Sequence, residues 1–576
     1  MSTLTHSGPV AIASRREWID RAHLLMLFLL GSLSFFVLYP VVLIVLHSFN
    51  IAPMGAALHF GLGHWAEAFS TPGILDAILN TFKIVLARQA ISFPLAIFIA
   101  WLLARTNVPG RDGFEFMFWL AFFLPSLSVI IGWVLLLDPQ VGLLNRWLAQ
   151  LPFVERGPFN IYSFWGIVWV HLMANSIDVK VMLLTPALRR MDGALEEASR
   201  MSGGSTLGTM ARITVPIMTP TLVVIFVLSM IRSLSSFEIE LLLGVPINFW
   251  VYSTKMVQLL RLEPPLYGQA TALGSTILLF LLLMIPLQRW FSMRREFTTV
   301  TGQYRPTLID LGRWKYLACA SLLAVVFLLT VVPLAATVVA SFMARFGFFH
   351  LPEPWTLAHW KMALGDSLFL KSLGNTLLMA LGAGLSAPIL FSLIAYVSVR
   401  TRLPGRALLD FLSWLPWAIP GMLLGLGFLW VFLGTPIFRP LYGTIFLLVI
   451  ATVVGSMTTG TQILKSGLLQ LGKDLEEAGR MMGGSWWSTY IKVVLPLMMP
   501  TLILVGVMSF ISAARDVTTI ILLATFETRT LAVLALDFIS EGLREAATVM
   551  AVIIALLTTG VALAARMLGL QAGLRD

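Results

Sequence analysis

An all-α, polytopic membrane protein with about twelve transmembrane helices, in two parallel-repeat halves of six, follows from three features of the sequence: its composition, the spacing of its apolar stretches and an internal repeat. Of the 576 residues, 58% are hydrophobic and 12% are charged, and the mean hydropathy is +0.88. A soluble domain gives about a quarter of its residues to Asp, Glu, Lys and Arg, so most of this exterior must face lipid. That excludes a soluble multidomain enzyme, a disordered scaffold and a nucleic-acid binder, even at a net charge of +10. The single cysteine, Cys319, excludes an internal disulfide and a thiolate metal cluster and reads as an apolar core thiol.

Twelve stretches are long enough for the roughly 20 residues that a membrane helix needs. In the first half they lie near residues 24–46, 78–103, 114–137, 161–184, 213–234 and 270–291, and in the second near 316–339, 376–399, 407–433, 444–464, 493–514 and 546–567. Pro94, Pro125, Pro286, Pro333, Pro388 and Pro420 fall inside them and predict kinks, which a packed bundle tolerates. With Arg15, Arg16 and Arg21 holding the N-terminus in the cytoplasm, about 24 Lys and Arg fall on inner segments against about 11 on outer ones, as the positive-inside rule requires. Both termini are then cytoplasmic. The first stretch is too long for a secretory signal and lacks a closely following small-residue cleavage site, so it reads as an uncleaved helix.

The repeat organises the chain. LEEASRMSGGSTLGTMARITVPIMTPTL, from Leu195, and LEEAGRMMGGSWWSTYIKVVLPLMMPTL, from Leu475, agree at about 15 of 28 positions without a gap. Upstream the register continues in Asn80-Thr81 with Asn375-Thr376, Arg105-Thr106 with Arg400-Thr401, and Pro109-Gly110-Arg111 with Pro404-Gly405-Arg406; Trp65 and Trp360 extend it. An even number of spans per half gives both copies the same orientation, and a pathway between such halves is the natural expectation. The resulting layout is an N-terminal tail, first span and outer loop over 1–75, a first transmembrane domain over 76–292, a linker over 293–315, a seventh span with its outer loop over 316–370, a second transmembrane domain over 371–568 and a tail over 569–576.

Each long motif falls between the fourth and fifth spans of its half, on the inner side. Glu196 and Glu197 open a short helix, Gly203-Gly204 breaks it, and Ser205 can cap a second turn that leads to Pro216. Glu476, Glu477, Gly483-Gly484, Ser485 and Pro496 repeat this order. Any loop can hold a capped helix, but two matching copies point to a shared external docking task.

These residues resemble the signature of permease subunits of binding-protein-dependent, type I ABC importers: Glu-Ala-Ala, three residues, Gly, nine residues, Ile-x-Leu-Pro. Here the pattern runs Glu197-Ala198-Ser199, Gly203, Ile213-x-Val215-Pro216, and again Glu477-Ala478-Gly479, Gly483, Val493-x-Leu495-Pro496. Ser199, Gly479, Val215 and Val493 depart from it conservatively. The fused two-half form, and stretches such as SFEIELLLGVPINFWVYSTKMVQLL, are similar to ferric-iron permeases; thiamine, phosphonate and polyamine permeases share the architecture. The resemblance implies that each motif is a coupling helix seated on an ATPase subunit, with two such subunits on the cytoplasmic face and a periplasmic solute-binding protein on the outer face. It places the chain in a bacterial inner membrane, embedded in lipid with no nucleic-acid partner. It also implies a chain that is not itself an enzyme and binds no cofactor, the ATP and Mg being used by the partner.

Two strings imitate ATPase machinery. Gly467 to Lys473 fits the start of a phosphate-binding loop, but Asp474 follows where Ser or Thr is needed, and no strand precedes it. Ser202-Gly203-Gly204 is the helix break of the motif. Eight histidines are scattered without metal-ligand spacing. Charges in or near the spans need a role, because an unpaired one at the centre of a bilayer costs at least about 2.5 kcal/mol. Asp178 and Lys180 read as snorkelling side chains or a bundle-internal pair, and Arg88, deeper, as a gate or a structural partner. With the family's central pathway along the fifth spans, Arg232, Ser236 and Glu238, and Arg515, Asp516 and Thr518 in the corresponding stretch, are candidates for its outer mouth or ordinary helix-end charges. The alternative from another class is a twelve-span ion-coupled secondary transporter, which needs carboxylates near mid-membrane; apart from Asp178 the spans are almost free of acids.

Overall fold

The computed structural model describes residues 23–52, 58–154, 157–191, 193–293 and 308–567. Arg15, Arg16 and Arg21, most of the expected linker and the tail 569–576 lie outside the described residues. Among the described residues the regular elements are helices, joined by three isolated extended bridges.

Seven helices are long and apolar enough to cross a membrane: His23–Phe49, Ile74–Arg105, Tyr267–Met284, Trp314–Ser341, Ser367–Arg400, Ile445–Gln470 and Arg544–Met567. Five apolar helix pairs are bent at a short break, and counting each pair as one span brings the number up to twelve among the described residues. The bends follow local chemistry. Arg111–Phe123 turns by 95° into Ser126–Leu137, and Arg406–Ala418 by 113° into Gly421–Gly434. Pro125 and Pro420 stand at these corners and push the residues before them, Leu124 and Ile419, into extended backbone. Pro94 and Pro388, by contrast, are carried inside continuous helices, where bundle packing offsets the lost hydrogen bond. A third matched pair of bends, 76° in each half, joins Thr206–Ile217 to Thr219–Leu234 and Trp486–Leu497 to Met499–Ala514.

The fifth bend has no counterpart. Phe164–Met173 meets Ile177–Arg189 at 43°, whereas the corresponding Ile445–Gln470 is one helix. Asn175 sits in the break at φ 53°, a left-handed conformation that Asn tolerates better than most residues.

Contacts divide the chain into two compact units. Among the described residues, one holds Leu377–Glu527 with those up to Leu43 and those from Leu563; the other holds those from Ile44 to Thr376 and Thr528–Ala562. In the latter, Ile74–Arg105 packs along Ile177–Arg189, and Ser126–Leu137 packs on Val332–Ser341. Gly132 permits the second contact, since a Cβ there would stand 2.2 Å from the Pro333 carbonyl oxygen. In the former unit, Ile445–Gln470 packs along Met499–Ala514. Small residues let backbones approach where lipid supplies no hydrophobic drive between helices.

Candidate functional site

The two repeated segments fold alike. Ala194–Met201 and Asp474–Met481 are short helices with their glutamates in the first turn, where the exposed N–H groups favour negative charge. Each helix stops at a glycine in left-handed backbone, Gly203 at φ 83° and Gly483 at φ 80°. The stop is a Schellman cap: Gly203 N donates to Arg200 O at 3.0 Å and Gly204 N to Ser199 O at 2.9 Å, matched by Gly483 N to Arg480 O at 2.9 Å and Gly484 N to Gly479 O at 3.1 Å. Ser205 and Ser485 then cap the next turn by accepting from Gly208 N at 3.1 Å and Ser488 N at 3.2 Å. A widened turn at Met210–Thr214 or Tyr490–Val494 leads to Pro216 or Pro496 and the 76° bend.

The paired glutamates divide their work. Glu197 and Glu477 are exposed, whereas Glu196 and Glu476 are 2% and 7% exposed and point into the protein. Arg105, the last residue of Ile74–Arg105, donates from Nε to Glu196 Oε2 at 3.0 Å and from Nη1 to Met191 O at 3.1 Å. Arg400, the last residue of Ser367–Arg400, repeats this with Nε 2.9 Å from Glu476 Oε1 and donates to Leu468 O and Leu471 O at 2.7 and 2.6 Å. In each half one arginine therefore ties the root of the short helix to the carbonyls that end the preceding span. The remaining carboxylate oxygen takes a hydroxyl from different places. Thr214 supplies it to Glu196 at 2.6 Å, while Tyr396 supplies it to Glu476 at 2.9 Å. Trp101 and Val494 occupy the exchanged positions. Tyr396 also meets Trp486 and Tyr490 at 5.3 and 5.1 Å, an aromatic cluster confined to the second copy, where the first has Thr206 and Met210.

What each helix leaves outside is an apolar strip beside its free glutamate. Leu195, Ala198 and Met201 are exposed in the first copy, and Leu475, Ala478, Met481 and Met482 in the second. Exposed apolar strips edged by charge mark surfaces that another molecule covers.

The polar residues near the spans are less symmetric. From 231 to 240 the order of buried, half-buried and exposed residues repeats position for position at 511–520, yet the chemistry differs. Arg232 is exposed, with its guanidinium 5.9 Å from the Phe122 ring centre. Ser236 donates to Glu240 at 2.6 Å, and Glu238 accepts from Ser126. In the second copy Arg515, Asp516 and Thr518 are half-buried, and Asp516 accepts from Thr519 N at 3.0 Å. Arg88 donates to Asn175 O at 2.7 Å and Ser176 Oγ at 3.0 Å, satisfying a carbonyl that the helix break frees. Asp178 and Lys180 are buried, not snorkelling, with Lys180 on Ser176 Oγ at 3.1 Å.

Several partners escape reading from the sequence. Arg105 and Arg400 stand out there only as repeat markers, and the glutamates they hold are far along the chain. Glu240 and His171, bonded at 2.8 Å and both buried, carry no motif. Among the described residues no three His, Cys, Asp or Glu side chains converge as metal ligands.

A family described as "Binding-protein-dependent transport system inner membrane component" matches residues 388–570. The ferric transport system permease protein FbpB of Actinobacillus pleuropneumoniae is 28% identical over 88% of this chain and 72% of its own length. The Fe(3+)-transport system permease protein FbpB 2 of Haemophilus influenzae is 22% identical over 87% of this chain and 91% of its own. The spermidine/putrescine permease PotB of Escherichia coli aligns over 93% of its length with 45% of this chain, at 26% identity. With its helical spans and its duplicated segment, the chain is similar to permeases of the binding-protein-dependent transport type, and residues 388–570 match that family's inner membrane component.

Proposed function

We propose that this permease is the membrane-spanning component of an ATP-driven ABC importer whose cargo is ferric iron. Two copies of an ABC ATPase dock on the repeated segments at the cytoplasmic face, and a periplasmic solute-binding protein delivers cargo at the outer face. Both termini are cytoplasmic. ATP and Mg are used by the partner; this chain conducts cargo and holds the motor. Its docking helices must bind the open and closed ATPase dimers differently, since only differential affinity shifts a conformational equilibrium.

The observation that carries this reading is the duplicated helix itself, with an exposed Leu and Met strip and a free glutamate outside and a buried Arg–Glu pair at its root. Ferric iron as cargo is supported by the ferric permeases among its relatives, which align over most of this chain. Ion-coupled secondary transport draws on one observation, the buried acids Asp178 and Glu240. One experiment separates the two. The permease is purified from its native membrane and its companions identified, and uptake of labelled ferric iron is followed with ATP and without a proton gradient. A co-purifying ATPase and ATP-dependent uptake are expected. Uptake that survives ATP depletion and collapses with the proton gradient would overturn the proposal.

A further inference from the structure

The segment between the repeats ends by joining the helix end that carries Arg105. Ile309 pairs in parallel with Thr106: its N–H donates to Arg105 O at 2.8 Å and its carbonyl accepts from Asn107 N at 3.2 Å. Asn107 then sets the register with its side chain. Its Oδ1 accepts from Leu311 N at 3.0 Å and its Nδ2 donates to Asp310 Oδ1 at 2.5 Å. The same Asp310 oxygen accepts from Gly312 N at 2.9 Å. Ile309 is buried between exposed Leu308 and Asp310, so this short piece of chain is seated, not merely passing.

What it is seated on matters. The backbone carbonyl that takes the first bond belongs to Arg105, whose guanidinium holds Glu196 at the root of the first docking helix. Arg200, in the last turn of that helix, is within electrostatic reach of Asp310. Residues 308–312 are therefore bonded to the arginine that holds the root of this helix and lie within electrostatic reach of its last turn. In the second copy Arg402 stands where Asn107 does in the first. Among the described residues no extended segment pairs with residues 400–402.

Resting on the reading of the repeated segments as ATPase-docking helices, we propose that residues 308–312 are a strap that steers the first docking helix alone, with Asn107 and Asp310 as the positioning residues that keep ATP hydrolysis coupled to uptake. Asn107→Asp sets two carboxylates against each other and removes the donor, which releases the strap. Adding Asp310→Asn removes the repulsion and returns a donor: with its Nδ2 turned towards residue 107 the new amide donates to the new carboxylate, which still accepts from Leu311 N, and the amide oxygen is left for Gly312 N.

The test uses the permease with its ATPase and binding protein in proteoliposomes, with labelled ferric iron on the binding protein as probe, and reads iron moved per ATP hydrolysed. N107D is expected to lower that ratio several-fold while the complex stays assembled and still hydrolyses ATP, and N107D/D310N to return it towards wild type. A merely structural role would change the amount of complex and leave the ratio alone. Wild-type coupling in N107D, or a double variant no better than the single one, overturns the strap. Failure of the wild-type complex to move iron with ATP overturns the docking reading itself, and the strap with it.

Discussion

Replacing Glu196 by alanine removes the one carboxylate from a guanidinium that is 1% exposed as a residue. Breaking a buried ion pair from one side costs about 3–5 kcal/mol, because the remaining charge stays desolvated. Arg105 keeps only Met191 O at 3.1 Å among its hydrogen bonds, so E196A belongs at the upper end. Arg400 keeps two carbonyls at 2.7 and 2.6 Å, which places E476A at the lower end. At about 1.4 kcal/mol per tenfold, the root of the helix then opens from about a hundred-fold to a few thousand-fold more often. Hydrogen exchange at the amides of 198–202 and 478–482 reads that opening directly. The control is Arg105→Met with Glu196→Met, which removes both charges and should exchange far more slowly than E196A, since an apolar replacement for a whole buried pair is often neutral. Exchange in E196A within a few-fold of wild type would refute the reasoning, and so would a double variant as loose as the single one.

Gly203→Val places a branched residue at φ 83° with no atom within 4 Å of its Cβ, so its cost of about 1–2 kcal/mol is conformational and not steric. Membrane insertion should be retained and ATP-driven uptake lost; normal uptake in both G203V and G483V counts against a docking role. Gly132→Ala drives a Cβ to 2.2 Å from Pro333 O and 2.7 Å from its Cα, an overpacking worth about 1–3 kcal/mol. Its thermal midpoint in detergent should fall, while Gly31→Ala, which meets nothing within 4 Å, serves as the control and should not fall. Asp310 lies on the exposed strap, where Gly312 N–H and the Asn107 amide hold its carboxyl below its ordinary range. A depressed carboxyl contributes at every pH above its unfolded value and is lost only as pH falls through the depressed one. Protection of the Ile309 amide should therefore stay level from pH 7 down to the usual aspartate range and drop below it, and a drop near pH 6 would contradict this.

Much of the architecture was legible because lipid imposes few solutions. Apolar length is a one-dimensional signal, and so is a gapless repeat, which led to both short helices with their glycines, serines and prolines in place. Prolines were only half legible: Pro125 and Pro420 turn the chain through about a right angle, while Pro94 and Pro388 are carried inside continuous helices. The glutamates were misleading in one respect. Read from the sequence, all four belong alike to the short helix of the repeated motif; in three dimensions Glu196 and Glu476 face arginines some 76 to 91 residues away, a pairing that no local pattern encodes. Glu240 escaped notice as a buried acid because it follows the fifth span in sequence, yet it lies buried on His171.

The hydroxyl that completes each glutamate comes from the repeated segment in the first copy, as Thr214, and from the preceding long helix in the second, as Tyr396. The repeats are therefore no longer interchangeable. A recombination that copied the second repeated segment over the first would bring Val494's side chain to the Thr214 position while Trp101 stayed behind, and the carboxylate would have no hydroxyl at all. The reverse exchange would give Glu476's position two. Gene conversion between the halves is thus penalised in one direction and redundant in the other, which leaves each copy free to diverge around an ion pair that both retain.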